Sequence, residues 1–311
     1  MKAIRFHEYG DANVLHYEDT DIPVPGAGQV RVRVAGTSFN GVDGNIRAGL
    51  MQEPMPLTLP HIPGLDVAGT VDEVGEGVSD LEVGDTVVGF LPFVDDGASA
   101  EYVVASADAL AHAPTSIPLA DAAAFPLVAL TARQALFDHA DLKAGQRILI
   151  NGAGGAVGGY AVQLAKAAGA HVIATASPRS AEQVTAQGAD ELVDHTIADV
   201  TATVTEPVDV LLNLAPIDPA AFAALAARVR DGGVVVSTTV WMPAPSDADR
   251  GVRGIDMYVN NDREQLAELV ERIDKGELTV DVARRVPLSE LPAVHADAAA
   301  GSLHGKIVIV P

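Results

Sequence analysis

The stretch from Gln146 to Gly169, QRILINGAGGAVGGYAVQLAKAAG, sets an apolar strand against a glycine-rich turn and then a long amphipathic helix. A second Val/Ile-rich strand, His171 to Ala176, follows at once. A strand, a crossover helix and a further strand build a parallel pair, so the region is committed to an α/β sheet. The turn itself runs Gly152, Ala153, Gly154, Gly155, Ala156, Val157, Gly158. It departs from G-x-G-x-x-G: Gly154 stands two after Gly152, but Val157 stands five after it. Glycines at 152, 155 and 158 suit a pyrophosphate, which needs backbone N–H groups and a helix N-terminus aimed at it with side chains kept away. These seven residues are the expected grip of a dinucleotide.

The chain of 311 residues is long enough for two ordinary domains, and 48% hydrophobic with 20% charged residues is the composition of a folded globular protein. A net charge of −22 argues against general binding to nucleic acid or an anionic membrane, so any phosphate site is local. Cysteine is absent, which removes disulfides, thiolate nucleophiles and cysteine-containing zinc sites; redox chemistry would fall to a bound cofactor. The N-terminus MKAIRFHEYG lacks a signal-peptide pattern, and no apolar run reaches the roughly 18 residues of a membrane span, so a cytoplasmic protein is expected.

Up to about Leu119 the chain reads as short strands broken by Gly and Pro, among them KAIRF, QVRVRVAGTSF, DVAGTVDEVG and DTVVGF, an antiparallel β-rich unit. Beyond it, Ala-rich helices alternate with strands expected at Arg147–Ile150, His171–Ala176, Glu191–Asp194, Val208–Leu212, Val234–Ser237 and Asp256–Val259. Six such strands fit one doubly wound sheet with helices on both faces. A helix at Arg263–Lys275, a strand at Val282–Val286, a helix at Ser289–Ala300 and a strand at Lys306–Val310 complete the chain, with no placement dictated by pattern.

In sheets of this kind an acidic residue about 20 positions beyond the glycine turn grips a ribose 2′-hydroxyl. Here the place is held by Ser177, Pro178 and Arg179. A carboxylate would repel a 2′-phosphate, whereas a hydroxyl and a guanidinium bind one, which favours NADPH over NADH. The other reading makes Ser177-Pro178-Arg179 a helix-start turn with Ser177 as N-cap. His195 either stacks near the adenosine phosphate or lies idle on the surface, and Asn213 either contacts ribose or nicotinamide at a strand's C-terminal edge or merely ends that strand.

Together, GVDGNIRAG, IPGLDVAGTVDEVGEGV, LTARQAL, NGAGGAVG, TASPR, GADELVDH and the terminal GKIVIV resemble the quinone oxidoreductase (zeta-crystallin-like) branch of the medium-chain dehydrogenase/reductase superfamily, over nearly the whole chain. The resemblance implies a Rossmann doubly wound parallel sheet, residues 121–261, inserted in a GroES-like β-rich domain made of residues 1–120 and 262–311. It implies NADPH as hydride donor, an active site in the cleft between domains, and a homodimer through the Rossmann sheet edge. Zinc-dependent members carry a Cys-x-x-Asp and a Gly-His-Glu motif; this chain has Asn40-Gly41-Val42-Asp43 and Gly64-Leu65-Asp66 there. Neither Asn40 nor Leu65 replaces a thiolate or imidazole at tetrahedral zinc, so a metal-free enzyme is expected. Without a Lewis acid to stabilise an alkoxide, hydride addition to a small-molecule electrophile, a quinone or enone, is favoured over alcohol oxidation, with the proton from water or a weak donor.

By the same resemblance Thr131 hydrogen-bonds the cofactor and Asn40 faces both cofactor and substrate carbonyl, although Thr131 also fits an ordinary helix residue and Asn40 a turn residue. Asp43 reads as structural, a cap or a partner to Arg47. Family members often carry an aromatic at the positions of Asn45 and Arg133, so the fit of large quinones is in question and a smaller enone gains ground. Trp241 lies after a Rossmann strand, either as an exposed lid or as buried packing. Two other functions compete: reduction of an enoyl thioester, and a low-turnover NADPH-binding redox sensor or structural protein.

Overall fold

The structure, a computed structural model, describes residues 1–239 and 241–311. It divides into two compact units, Met1–Leu127 with Asn261–Pro311, and Val128–Asn260.

The first unit begins with β1 (Lys2–Phe6) and β2 (Leu15–Asp19), an antiparallel pair. β3 (Gln29–Ser38) alternates strictly at its start: Val30, Val32 and Val34 are buried while Arg31 and Arg33 turn outward, the period-two signature of a strand with one covered face. α1 (Gly41–Arg47) follows, and then β4 (Asp66–Val74), β5 (Thr86–Phe90), β6 (Tyr102–Ser106) and β7 (Leu110–His112). The inward valines of β3 meet Val67, Val71, Val87, Val103 and Leu110 from these strands in one apolar core. At the start of α1 the Asp43 carboxylate accepts the Asn40 N–H at 2.7 Å, so Asp43 caps the helix as expected. Asp43 is buried, and burial pushes its carboxyl up to about 7, opposed by the hydrogen bond from Asn40.

The second unit takes up most of α2 (Pro126–Arg133) and then winds a six-stranded sheet. Its strands are β8 (Arg147–Asn151), β9 (His171–Ala176), β10 (Glu191–Asp194), β11 (Val208–Asn213), β12 (Val229–Ser237) and β13 (Arg253–Asp256), connected in part by α3 (Ala156–Ala167), α4 (Ala181–Ala186), α5 (Val200–Thr203) and α6 (Pro219–Ala226). All pairings are parallel in the order β10-β9-β8-β11-β12-β13, which is the Rossmann order with its switch point between β8 and β11. Leu149, Ile173, Leu211, Phe222 and Val235 form the buried layer of strands and helix on one side. The last strand sits earlier than its apolar run Met257–Val259 suggested. Gly254 lies so close to the Ala244 carbonyl that a Cβ there would come within 2.3 Å, and Asp256 accepts the Ala244 N–H at 2.6 Å; these contacts fix the strand at 253–256.

The chain then returns to the first unit with α7 (Arg263–Asp274), β14 (Arg284–Pro287), α8 (Leu291–Ala299) and β15 (Ile307–Val310). β15 pairs antiparallel with β3, Val308 opposite Ser38 and Ile309 opposite Thr37, so the tail completes the N-terminal sheet. Ile307 and Ile309 join Ile4, Phe6, Phe39 and Val294 in a second core drawn from both ends of the sequence. The Rossmann sheet is thereby inserted in the β-rich fold.

Two stability measurements check this account. Leu149→Ala, in the buried centre of the Rossmann sheet, should cost about 2–5 kcal/mol, while Leu192→Ala on the edge strand, 37% exposed, should stay within about 0.5 kcal/mol; similar losses in chemical denaturation would contradict the placement of the core. Native Asp43 holds its proton more tightly than an unfolded chain, so between about pH 4 and 7 the native state binds more protons and loses stability as pH rises. Asp43→Asn should therefore gain on the wild type across that window, on the order of 4 kcal/mol in all, and level off above it. A difference independent of pH in urea unfolding would refute the shift.

Candidate active site

The glycine turn leaves the C-terminal end of β8. Gly152 stands at φ +91°, a left-handed conformation that a side chain resists, and its N–H donates to Thr175 Oγ1 at 2.9 Å. Gly158 sits in the first turn of α3, where a Cβ would come within 2.5 Å of the Ala153 backbone, so the helix packs directly on the turn. Gly154, rather than Gly155, is the tighter of the middle pair: a Cβ on it would meet Ser180 Oγ at 2.4 Å, whereas Gly155 has nothing nearer than 3.4 Å and serves as N-cap of α3. The N–H groups of Ala156, Val157 and Gly158 open the helix and have no intrahelical acceptor by geometry. This cradle fits a pyrophosphate.

A chain of polar side chains runs under the turn along the C-terminal edges of four adjacent strands. Thr175 Oγ1 donates to Asn151 Oδ1 at 3.0 Å, Asn151 Nδ2 to Asn213 Oδ1 at 2.8 Å, and Asn213 Nδ2 to Thr239 Oγ1 at 3.1 Å; Ser237 Oγ lies 2.8 Å from Thr239 Oγ1. Asn151 and Asn213 are register partners at the switch point, where open α/β sheets bind their ligands. Asn213 is fully buried, and both ends of its carboxamide are engaged, by Asn151 and Thr239.

The residues expected at the adenosine end are brought together beside this turn. Ser177 and exposed Arg179 follow β9 directly, and the N-cap of α4 is Ser180, not Ser177. Exposed His195 follows β10, its N–H donating to the Ala176 carbonyl at 3.3 Å. At the other end, β12 and β13 open into a cavity of about 390 Å³ lined by Ser237, Thr239, Trp241, Met242, Met257 and Tyr258 among others. Trp241 is 66% exposed and held at φ +65°, an uncommon conformation for a bulky residue, which decides its two readings in favour of the exposed one. Tyr258, Thr239 and Ser237 escaped the sequence reading; their signal is position alone, at or just past the C-terminal ends of strands. Thr131 is buried in α2. Three residues on, Gln134 exchanges two hydrogen bonds with the Asn260 backbone, 2.9 and 3.0 Å, securing the segment that carries Met257 and Tyr258. Arg133 pairs with Asp138 at 2.9 Å.

Asn40 and Asn45 belong to the other unit, at the start and in the body of α1. Asn40 is buried; its Nδ2 donates to Asp66 Oδ2 at 2.8 Å, and its Oδ1 accepts from Lys306 Nζ at 2.5 Å. Asp66, wholly buried, also accepts from Ser38 Oγ at 2.5 Å, from Lys306 Nζ at 3.3 Å and from the Leu127 N–H at 2.8 Å. Burial lowers the Lys306 ammonium from its usual range, opposed by Asp66 and Asp43. Nearby, burial takes His295 down to about 3, with the Arg47 charge acting in the same direction.

This set does not fit zinc. Leu65 offers no ligand atom, Asn40 Oδ1 and Asp66 Oδ2 are already occupied, and an ammonium would repel a dication in the same oxygen cage. Among the described residues, no group of three or more His, Cys, Asp or Glu is placed to hold a metal ion, and no helix is long and apolar enough to cross a membrane.

Residues 26–115 match the alcohol dehydrogenase GroES-like domain and residues 187–309 the domain described as zinc-binding dehydrogenase. The chain is 32% identical over 326 residues to a chloroplast envelope quinone oxidoreductase homolog of Arabidopsis thaliana, covering 100% of this chain and 98% of that one. Among solved structures it is similar to the quinone oxidoreductase of Coxiella burnetii, with a TM-score of 0.91 at 29% identity over 100% and 99% of the two chains. It is also similar to a mycobacterial protein complexed with NADPH, with a TM-score of 0.86 at 27% identity over 100% of both. A relative matched end to end, with the Rossmann order and the metal positions both as they stand here, means that the chain belongs to the zinc-free quinone oxidoreductase branch of the medium-chain dehydrogenase/reductase superfamily and is an NAD(P)H-dependent oxidoreductase of the quinone type.

Proposed function

We propose that the protein is an NADPH-dependent, zinc-independent reductase that delivers hydride to a quinone or an α,β-unsaturated carbonyl. The observation that carries the cofactor choice is the end of β9, where Ser177 and Arg179 follow the strand and no carboxylate stands in their place. A 2′-phosphate gains a charge-assisted hydrogen bond from the guanidinium and a second from the hydroxyl, whereas a 2′-hydroxyl gains little from either. His195, adjoining the end of the same strand, adds a ring at the adenosine end.

Bound NADPH supplies the hydride. The residues do the holding. Gly152 to Gly158 offer the pyrophosphate backbone N–H groups and the start of α3, and the buried Thr175–Asn151–Asn213–Thr239 chain keeps that turn from shifting. Thr131 holds the nicotinamide end. Asn40, whose oxygen is taken by Lys306, acts as a donor toward the acceptor carbonyl through its remaining Nδ2–H. Trp241 and Tyr258 wall a cavity large enough for a ring, an aromatic surface on which an acceptor ring can stack. Rate acceleration then comes mainly from orientation, with the proton taken from water.

Trp241 is the one tryptophan of the chain, and its fluorescence should respond to NADPH at micromolar concentration and far less to NADH. Arg179→Ala should weaken NADPH by roughly 10–100-fold and leave NADH within a factor of about two. Equal affinity of the wild type for both cofactors would rule out the 2′-phosphate assignment. Trp241→Ala, followed by enzyme kinetics, should raise KM for a two-ring quinone about 5–10-fold and barely change it for a small acyclic enone; parallel changes would remove the indole from the acceptor wall.

A further inference from the structure

The terminal GKIVIV brings its lysine to a place that neither metal nor cofactor chemistry accounts for. β15 pairs with β3 so that Val308 faces Ser38 and Ile309 faces Thr37; the same antiparallel register carried two residues further sets Lys306 opposite Asn40. The Lys306 side chain is buried and ends among three oxygens: Asn40 Oδ1 at 2.5 Å, the Phe39 carbonyl at 3.3 Å and Asp66 Oδ2 at 3.3 Å. The chain thus places its own cation in an oxygen cage built on Asn40 and Asp66.

Chemistry fixes the orientation of the Asn40 carboxamide. A lysine ammonium only donates, so the atom facing it is Oδ1; the Asp66 carboxylate accepts, so the atom facing it is Nδ2. Rotating the amide by half a turn would set Nδ2 against the ammonium and Oδ1 against the carboxylate. Both contacts would become repulsive. Of the four hydrogen-bonding positions of an asparagine side chain, an acceptor lone pair and one N–H are spoken for, and the oxygen lies against a positive charge.

We propose that Lys306 is a positioning residue: it clamps the oxygen of Asn40 so that Asn40 meets the acceptor only as an N–H donor. This rests on the reading above that Asn40 touches the acceptor. A donor locked in this way is already aligned with the charge that develops on a quinone or enone oxygen as hydride arrives, with no rotation needed in the transition state. A free asparagine would divide its time between donor and acceptor faces.

The test combines enzyme kinetics with the resonances of the side chains themselves. In protein labelled with ¹⁵N at lysine and asparagine, the wild type should show a lysine ammonium signal protected from solvent exchange and an Asn40 amide pair with one slowly exchanging proton, the first lost in K306M and the second in N40A. With a quinone as acceptor, N40A and K306M should each lower kcat by on the order of 10²-fold with KM for NADPH little changed, K306R should lose less, and the double variant N40A/K306M should be no worse than N40A alone. Multiplying losses in the double variant, or an Asn40 amide pair unchanged in K306M, would overturn the clamp. Should K306M not fold, the absence of any protected ammonium signal in the wild type would overturn it as well. If K306M releases the Asn40 amide but N40A keeps full kcat, the clamp stands and the placement of Asn40 at the acceptor fails.

Discussion

One buried carboxylate, Asp66, ties together parts of the chain that are far apart in sequence. It opens β4, receives Ser38 from the end of β3 and Asn40 from the start of α1, takes the ammonium of Lys306 from the C-terminal tail, and accepts the Leu127 N–H at the beginning of α2. Such a group is costly to bury unless every lone pair is used and a countercharge is at hand. Here four hydrogen bonds and the Lys306 charge offset that cost. The return of the tail to β3, past the whole Rossmann insertion, is what brings Lys306 to Asp66.

The same cluster carries the proposed chemistry. Where zinc-dependent members of the superfamily hold a dication, this chain has an aliphatic Leu65, a carboxamide with both ends engaged and a lysine. In the proposed reaction a fixed hydrogen-bond donor takes the place of Lewis-acid help, which suits an acceptor that is already electron-poor. On the Rossmann side a second polar chain plays the corresponding part. Thr175, Asn151, Asn213 and Thr239 satisfy one another across the switch point, and a buried amide left unpaired there would cost about 1–3 kcal/mol, so the turn above them has little room to rearrange.

What could be read from the chain beforehand follows the range of the interactions. The glycine turn was legible because its requirements are local: a left-handed Gly152 and a close approach at Gly158 lie within one strand–turn–helix unit. The place of Ser177 and Arg179 just past β9 was legible from their spacing to that turn. The shift of β13 arose because Met257 and Tyr258 look like strand residues, being apolar, yet they lie beyond the strand and face a cavity. Trp241 stayed open between two readings because exposure is a property of the loop, not of the residue. Lys306 was seen as part of a terminal motif and nothing more, since its partner stands 266 positions away and only the register of β15 on β3 joins them.

The central claim is hydride transfer from NADPH to an electron-poor carbon without a metal. The most direct measurement follows deuterium from NADPH carrying deuterium at both C4 positions into an α,β-unsaturated ketone, using protein treated exhaustively with a chelator. Deuterium should appear at the β-carbon of the saturated product, at a rate unchanged by chelation or by added zinc. Product free of deuterium, or turnover lost on chelation and restored by zinc, would contradict it.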